Sequence, residues 1–334
     1  MKMTFVLLFT VIFASAQQHR FSLEGTLKGK NDGFIYMRYA GGKGEYRNDS
    51  ALITDGHFRF TGRTGGPAIA FLTTVEKSLP DDDKRITKAD GKNAVLFFLE
   101  PGAMEVVLDT SDFKDGRFTG SKTQMDFAAF REQNALPRFV EQYPNSYASA
   151  YLLSFHHFPL DTLKYLYNSL TATVQKCTYG KIVLKNIERK ERVAVGKYAP
   201  SFRQKDRNGN PVSLKDFSGH YVLLEFWSSW NSASQKENQE LLKTYHQYRN
   251  LTIIGISLDG QKTRQTWQTA VDNLPWLQLA PLKLADNPVA VKYDVETSPT
   301  NFLIDPKGRI VASDVNGAEL EKALDGSNDT LYRP

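Results

Sequence analysis

Tyr221–Gln239 reads YVLLEFWSSWNSASQKENQ, and the rest of the chain can be read outward from it. Tyr221 to Trp227 is an apolar and aromatic run broken only by Glu225, short enough for an interior strand. A turn follows, and then a helix whose start is expected near Ser232. Ser232 precedes Gln235 by three residues, the spacing of a capping box that pairs two otherwise orphaned backbone donors. Leu241, Leu242 and Tyr245 recur at helical intervals and are expected to bury one face.

This strand–turn–helix resembles the redox-site segment of thioredoxin-like proteins of the TlpA/ResA type, within the AhpC/TSA superfamily. In that family a similar strand leads into Trp-Cys-x-x-Cys, with a basic–acidic pair after the second cysteine. Trp227, Trp230, Lys236 and Glu237 match, but Asn231 and Ser234 stand at the two cysteine positions, in the run Trp230-Asn231-Ser232-Ala233-Ser234. Exchange chemistry requires a thiolate that attacks sulfur and a second thiol that resolves the mixed disulfide. A helix N-terminus supplies that thiolate by lowering a thiol's pKa. Neither an amide nor an unactivated hydroxyl can replace it, so the resemblance implies a thiol:disulfide oxidoreductase scaffold with a silent motif.

The same resemblance extends through the C-terminal part. Val195-Gly196-Lys197-Tyr198-Ala199-Pro200-Ser201-Phe202 is similar to the opening Gly-x-x-Ala-Pro-x-Phe of such domains, and Val212–Gly219 to the approach to the motif strand. Asn208-Gly209 signals a hairpin turn. A buried strand is expected over Leu251–Leu258, a helix over Thr266–Val271, strands over Asn301–Ile304 and Arg309–Ala312, and a last helix over Ala318–Leu324. Strands alternating with helices indicate an α/β domain. Pro299, in Ser298-Pro299-Thr300, stands where the family has a cis-proline that holds a bound peptide's backbone. By the resemblance, Trp230, Asn231, Ser298 and Pro299 form a peptide- or protein-binding groove. Glu225 occupies the place of the family's buried acid; desolvation would disfavour its charged form, and without a thiol to serve it is a structural remnant.

Upstream, Gln17 to about Gly120 carries a β pattern. Phe21 and Leu23 alternate with polar residues, and the turns Asn31-Asp32-Gly33 and Asp55-Gly56 precede aromatic runs. Ala68–Val75, Ala94–Leu99 and Met104–Leu108 add short strands, which together indicate an antiparallel sandwich or barrel. Asp49-Ser50 and Asp55–Gly62 are similar to marks of the β-rich domain that precedes TlpA-like domains in secreted Bacteroidetes proteins. From 121 to 193 the pattern is helical, with Phe127, Phe130, Leu136 and Phe139 in one apolar stripe and Leu163, Leu166 and Leu170 in another. Ser146 after Pro144-Asn145 is a helix cap, and Pro159-Leu160-Asp161 marks a break and a restart. The expected organisation is a signal over 1–16, a sandwich-like all-β domain over 17–120, a helical connector over 121–193 and a thioredoxin-like α/β domain over 194–334.

Lys2, the apolar run Thr4–Phe13 and Ala14-Ser15-Ala16 together read as a secretory signal, with the mature chain beginning at Gln17. The expected location is therefore periplasmic or extracellular, with no membrane span in the mature chain. Forty-two basic residues are mixed with 37 acidic ones for a formal charge of +5, without the basic face of a nucleic-acid binder. Cys177 is the only cysteine, which excludes an intramolecular disulfide framework. A buried structural thiol is the plainer role for it, and pairing between chains is the alternative.

No metal or cofactor is indicated. His156 and His157 are neighbours that would point apart on a helix, and Asp81-Asp82-Asp83 lacks the ligand spacing of a calcium loop. Ser232 and Ser234 would need an adjacent base to act as nucleophiles. Two functions remain in view. One is a redox-inactive binding module; the other is residual thiol:disulfide oxidoreductase activity in redox homeostasis, through Cys177 or a partner's cysteines.

Overall fold

The computed structural model describes residues 20–40, 46–76, 94–133 and 135–325. The signal segment and the Asp81–Asp83 cluster lie outside the described residues. The chain divides into two compact units between Leu184 and Lys185.

In the first unit, strands β1 (Arg20–Lys28), β2 (Asp32–Ala40), β3 (Tyr46–Thr54), β4 (His57–Arg63), β5 (Ala68–Thr73), β6 (Ala94–Leu99), β7 (Gly102–Asp109) and β8 (Asp112–Thr119) form one sheet. Its order is β6-β5-β2-β3-β4-β1-β7-β8, antiparallel throughout except for the parallel β1–β7 pair. Alternation puts Leu23, Ile35, Met37, Ile53, Phe60, Leu72, Phe97, Met104 and Val106 into a single core on the concave face. The Asp55-Gly56 turn has positive φ at both residues (52° and 75°), the backbone of a tight hairpin whose twist matches its strands. Gly25 is required by close approach: a Cβ there would lie 1.9 Å from Phe58 Cζ, whose ring covers it.

Of the sandwich or barrel that the strand pattern indicates for 17–120, the structure takes the second form: a single curled sheet approaching a barrel. The seam lies between edge strands β6 and β8, where Phe97 and Phe118 stack at 4.7 Å. Helix α1 (Lys122–Gln133) covers that seam, and the buried Gln124 side chain accepts from Phe98 N at 2.8 Å, giving an edge donor its partner.

Further helices are α2 (Leu136–Gln142), α3 (Tyr147–Phe155), α4 (Leu160–Ser169), α5 (Ala172–Gln175) and α6 (Thr178–Arg192). Ser146 caps α3, accepting from Ala148 N at 3.3 Å, and Pro159 stands at the start of α4. The Phe127–Phe139 stripe is split between α1 and α2 instead of running along one helix. Phe98, Phe127, Tyr151 and Tyr179 meet edge to face, and Tyr179 Oη accepts from Ile69 N at 3.0 Å. Residues 121–184 therefore pack on the β sheet of the same unit, and the boundary between units falls inside α6.

In the second unit a short hairpin, β9 (Arg203–Lys205) and β10 (Pro211–Ser213), precedes a five-stranded sheet. Its strands are β11 (Tyr221–Trp227), β12 (Leu251–Ser257), β13 (Leu277–Leu279), β14 (Thr300–Ile304) and β15 (Ile310–Ser313), in the order β13-β12-β11-β14-β15. The helices are α7 (Ser232–Gln247), α8 (Arg264–Val271), α9 (Pro288–Tyr293) and α10 (Gly317–Asp325). β12 runs parallel to β11 and β14 antiparallel to it.

All seven residues of β11 are buried because both faces of the sheet are covered. Val222, Leu224 and Phe226 enter one core with Tyr293 and Phe302; Tyr221 and Leu223 enter the other with Leu241 of α7. By the same alternation Glu225 lies on the α7 side. The short β13 and α9 were not foreseen: three strand residues and six helical ones leave too little periodicity to read. Among the described residues no helix is long and apolar enough to cross a membrane.

Candidate functional site

β11 and β12 end, and β14 begins, at the same edge of the sheet, where open α/β folds present their binding loops. The turn Ser228–Asn231 lies there between β11 and α7, and the Ser298-Pro299 loop leads into β14. The Ser298–Pro299 peptide bond is cis.

Asn231 joins the two loops. Its Oδ1 accepts from Ala233 N (2.9 Å) and Ser234 N (3.3 Å), and its Nδ2 donates to Ser298 O at 2.7 Å. It is thus the N-cap of α7. The expected Ser232 cap is corrected: Ser232 is the first helical residue, and Gln235 does not reach back to it but donates from Nε2 to Ser229 O at 2.6 Å. An amide wins this position because it offers an acceptor to the helix and a donor to the facing carbonyl at once, which a hydroxyl further along the chain cannot span.

Ser234 is fully buried, and its Oγ accepts from Ser228 N at 3.3 Å. Ser228 Oγ in turn lies 2.8 Å from Ser298 Oγ. Asn231 and Ser234 are therefore both polar groups engaged with their surroundings, one at the rim and one inside. Trp230, by contrast, is 57% exposed at the rim.

A second anchor had no sequence signal beyond its place after a buried strand. Asp259 is completely buried; its Oδ1 accepts from Ser229 Oγ (2.7 Å), and its Oδ2 from Ser229 N (3.0 Å) and Ser257 Oγ (2.8 Å). A buried carboxylate with several donors is stable where a lone one would not be. It holds the Ser228–Trp230 turn against the end of β12. Trp227 Nε1 donates to Gln278 Oε1 at 3.1 Å and ties the strand end to β13.

Glu225 lies beneath the site, fully buried. With the Asn238 carboxamide turned so that its nitrogen faces Glu225, that nitrogen is 2.5 and 2.9 Å from the two carboxyl oxygens. Burial pushes the Glu225 carboxyl well above its usual range, and the nearby Glu237 adds to the rise. Burial also raises Glu237, against the opposing hydrogen bond from Asn301 Nδ2 at 2.7 Å. Asn301 stands opposite Glu225 in the β11–β14 register, so a buried acid–amide cluster runs under the N-terminal half of α7.

His220 precedes the far end of β11, and His246 lies in the last turn of α7, roughly 20 Å along the helix from Asn231. Among the described residues no imidazole serves Ser232 or Ser234 as a base. Cys177 is half-buried between α5 and α6, and burial raises its thiol pKa, an environment that suppresses thiolate. His156 has a ring nitrogen 2.7 Å from Leu152 O. Among the described residues no group of three His, Cys, Asp or Glu side chains is placed to hold a metal ion.

Comparison with known proteins agrees with this architecture. Residues 195–313 match the AhpC/TSA family, and residues 21–127 match a domain of unknown function (DUF4369). The chain is 32% identical over 145 residues to the thiol-disulfide oxidoreductase ResA of Bacillus cereus, covering 41% of this chain and 78% of that protein. It is 32% identical over 127 residues to ResA of Bacillus subtilis (strain 168), covering 36% and 68%. Among solved structures, the thioredoxin domain of a thiol-disulfide oxidoreductase from Bacteroides vulgatus is 34% identical over 41% of this chain and 99% of that one, with a TM-score of 0.36. The chain belongs to the AhpC/TSA thioredoxin-like family, related to the ResA thiol-disulfide oxidoreductases, and carries a DUF4369 β domain ahead of that fold.

Proposed function

We propose that the second unit is a redox-inactive member of the thiol-disulfide oxidoreductase family that binds a peptide or protein segment along Trp230, Asn231, Ser298 and Pro299. The observation that carries the reading is the state of the motif. Asn231 spans the helix N-terminus and the Ser298 carbonyl, and Ser234 is buried in the turn. The helix N–H groups that would stabilise a thiolate are instead used by a neutral amide. The exposed Trp230 supplies an apolar, amphipathic surface of the kind enriched at recognition sites. With the secretory pattern of residues 1–16, the proposed location is periplasmic or extracellular. Transfer by Cys177 is disfavoured by its burial.

The test is insulin disulfide reduction by the mature chain, beside the doubly substituted Asn231→Cys/Ser234→Cys protein and Cys177→Ser. The expected result is a silent parent and an active double variant. Activity in the parent that is lost in Cys177→Ser would overturn the proposal in favour of residual oxidoreductase chemistry.

A further inference from the structure

In the first unit, the β1–β4 register sets Arg20 directly opposite Arg63. Like charges placed this way repel across a strand pair, and natural sheets ordinarily set an opposite charge there. One such pair is present nearby on the same face, where Arg59 Nε lies 3.6 Å from Glu24 Oε1. Neither the Arg20 nor the Arg63 guanidinium has an ion-pair or hydrogen-bond partner among the described residues.

The surroundings present hydrogen-bond donors. Ser22 faces Thr61 in the next outward-pointing row, so two hydroxyls adjoin two guanidiniums. These four residues line a groove of ≈520 Å³ together with Phe21, Gly62 and Gly102. Gly102 adds no side chain to the groove, and a Cβ there would meet nothing within 4 Å. Guanidiniums match the geometry of tetrahedral oxyanions bidentately, with hydroxyls completing the shell.

We propose that Arg20, Arg63, Ser22 and Thr61 form a binding site for a doubly charged tetrahedral oxyanion, a phosphate or sulfate group. The charge of the two arginines matches that of the anion, and its binding would replace their mutual repulsion with two ion pairs.

The test is calorimetric titration of the mature chain with inorganic sulfate, inorganic phosphate and phenyl phosphate, at constant ionic strength set with chloride. Saturable binding is expected, with Arg20→Gln and Arg63→Gln each weakening it about tenfold or more, the loss of one charge-assisted pair. Arg59→Gln, already matched by Glu24, should change it by less than about twofold. Tighter binding of the ester than of either inorganic ion would identify a group on a larger molecule; equal binding would identify the free ion. Absence of saturation above the chloride background, or equal weakening by Arg59→Gln, would overturn the site. A second measurement does not depend on the ligand. In chloride alone, Arg63→Gln should raise the thermal midpoint by removing the opposed charge, and a lowered midpoint would refute the premise.

Discussion

Replacing Asn231 with alanine isolates the contact on which the site is built. Removing an N-cap acceptor costs about 0.5–2 kcal/mol, and Asn231 serves two helix N–H groups. Losing its 2.7 Å bond to Ser298 O adds about 0.5–1.5 kcal/mol. The expected loss is therefore about 1–3 kcal/mol. All four tryptophans (227, 230, 267 and 276) lie in the second unit, so their fluorescence in a urea titration reports this unit alone. At a slope of about 2 kcal/mol per molar urea, the midpoint should fall by roughly 0.5–1.5 M. Asn231→Asp separates the two contributions. It keeps the cap and gains about 0.3–1 kcal/mol from a negative charge at the helix N-terminus. It also removes the donor to Ser298 and sets a carboxylate oxygen against a carbonyl oxygen. If the bridge matters, the aspartate variant will be less stable than the parent, contrary to an ordinary cap. An aspartate variant as stable as the parent, or an alanine variant within about 0.3 kcal/mol of it, would refute the bridge.

Two further outcomes follow from the buried polar groups. Glu225 has a folded-state pKa above its unfolded one, so its contribution to stability is complete below the unfolded value of about 4.3 and is lost as pH rises toward the folded value. Glu225→Gln should be more stable than the parent at pH 8 by about 1–3 kcal/mol, with a flatter urea-midpoint profile between acid and neutral pH. A residual slope from Glu237, which is raised in the same sense, is expected; parallel profiles for parent and variant would count against a neutral Glu225. Asp259→Asn leaves one acceptor oxygen for donors that now use both, and should cost about 2–3 kcal/mol while loosening the Trp230 turn. Acrylamide quenching and fluorescence anisotropy compare that loosening directly, and unchanged values would mean that Asp259 does not hold the turn.

The strands and helices around the motif were legible because their signals are local. The run Tyr221–Trp227 forms β11 over that same range, and Asp55-Gly56 turns where a residue pair tolerant of positive φ permits it. The cap of α7 was misplaced by one residue, since choosing between Asn231 and Ser232 depends on Ser298, sixty-seven positions away in the chain. The choice between sandwich and barrel for the first unit was open in the sequence for a related reason. Alternation specifies which residues face inward, but whether strands close on themselves or split into two layers depends on pairing order and on the Phe97–Phe118 seam.

By itself the sequence determined that this chain has a thioredoxin-like strand–turn–helix, that both motif thiols are absent, and that Cys177 cannot form an intramolecular disulfide. These are matters of composition and short-range periodicity. The tertiary structure alone decided that Asn231 binds the Ser298 carbonyl, that Asp259 anchors the turn, and that Arg20 and Arg63 stand opposite each other. Those contacts arise from strand register and loop approach between distant segments, where a side chain's partner is set by the packing of the whole sheet and not by its neighbours in the chain.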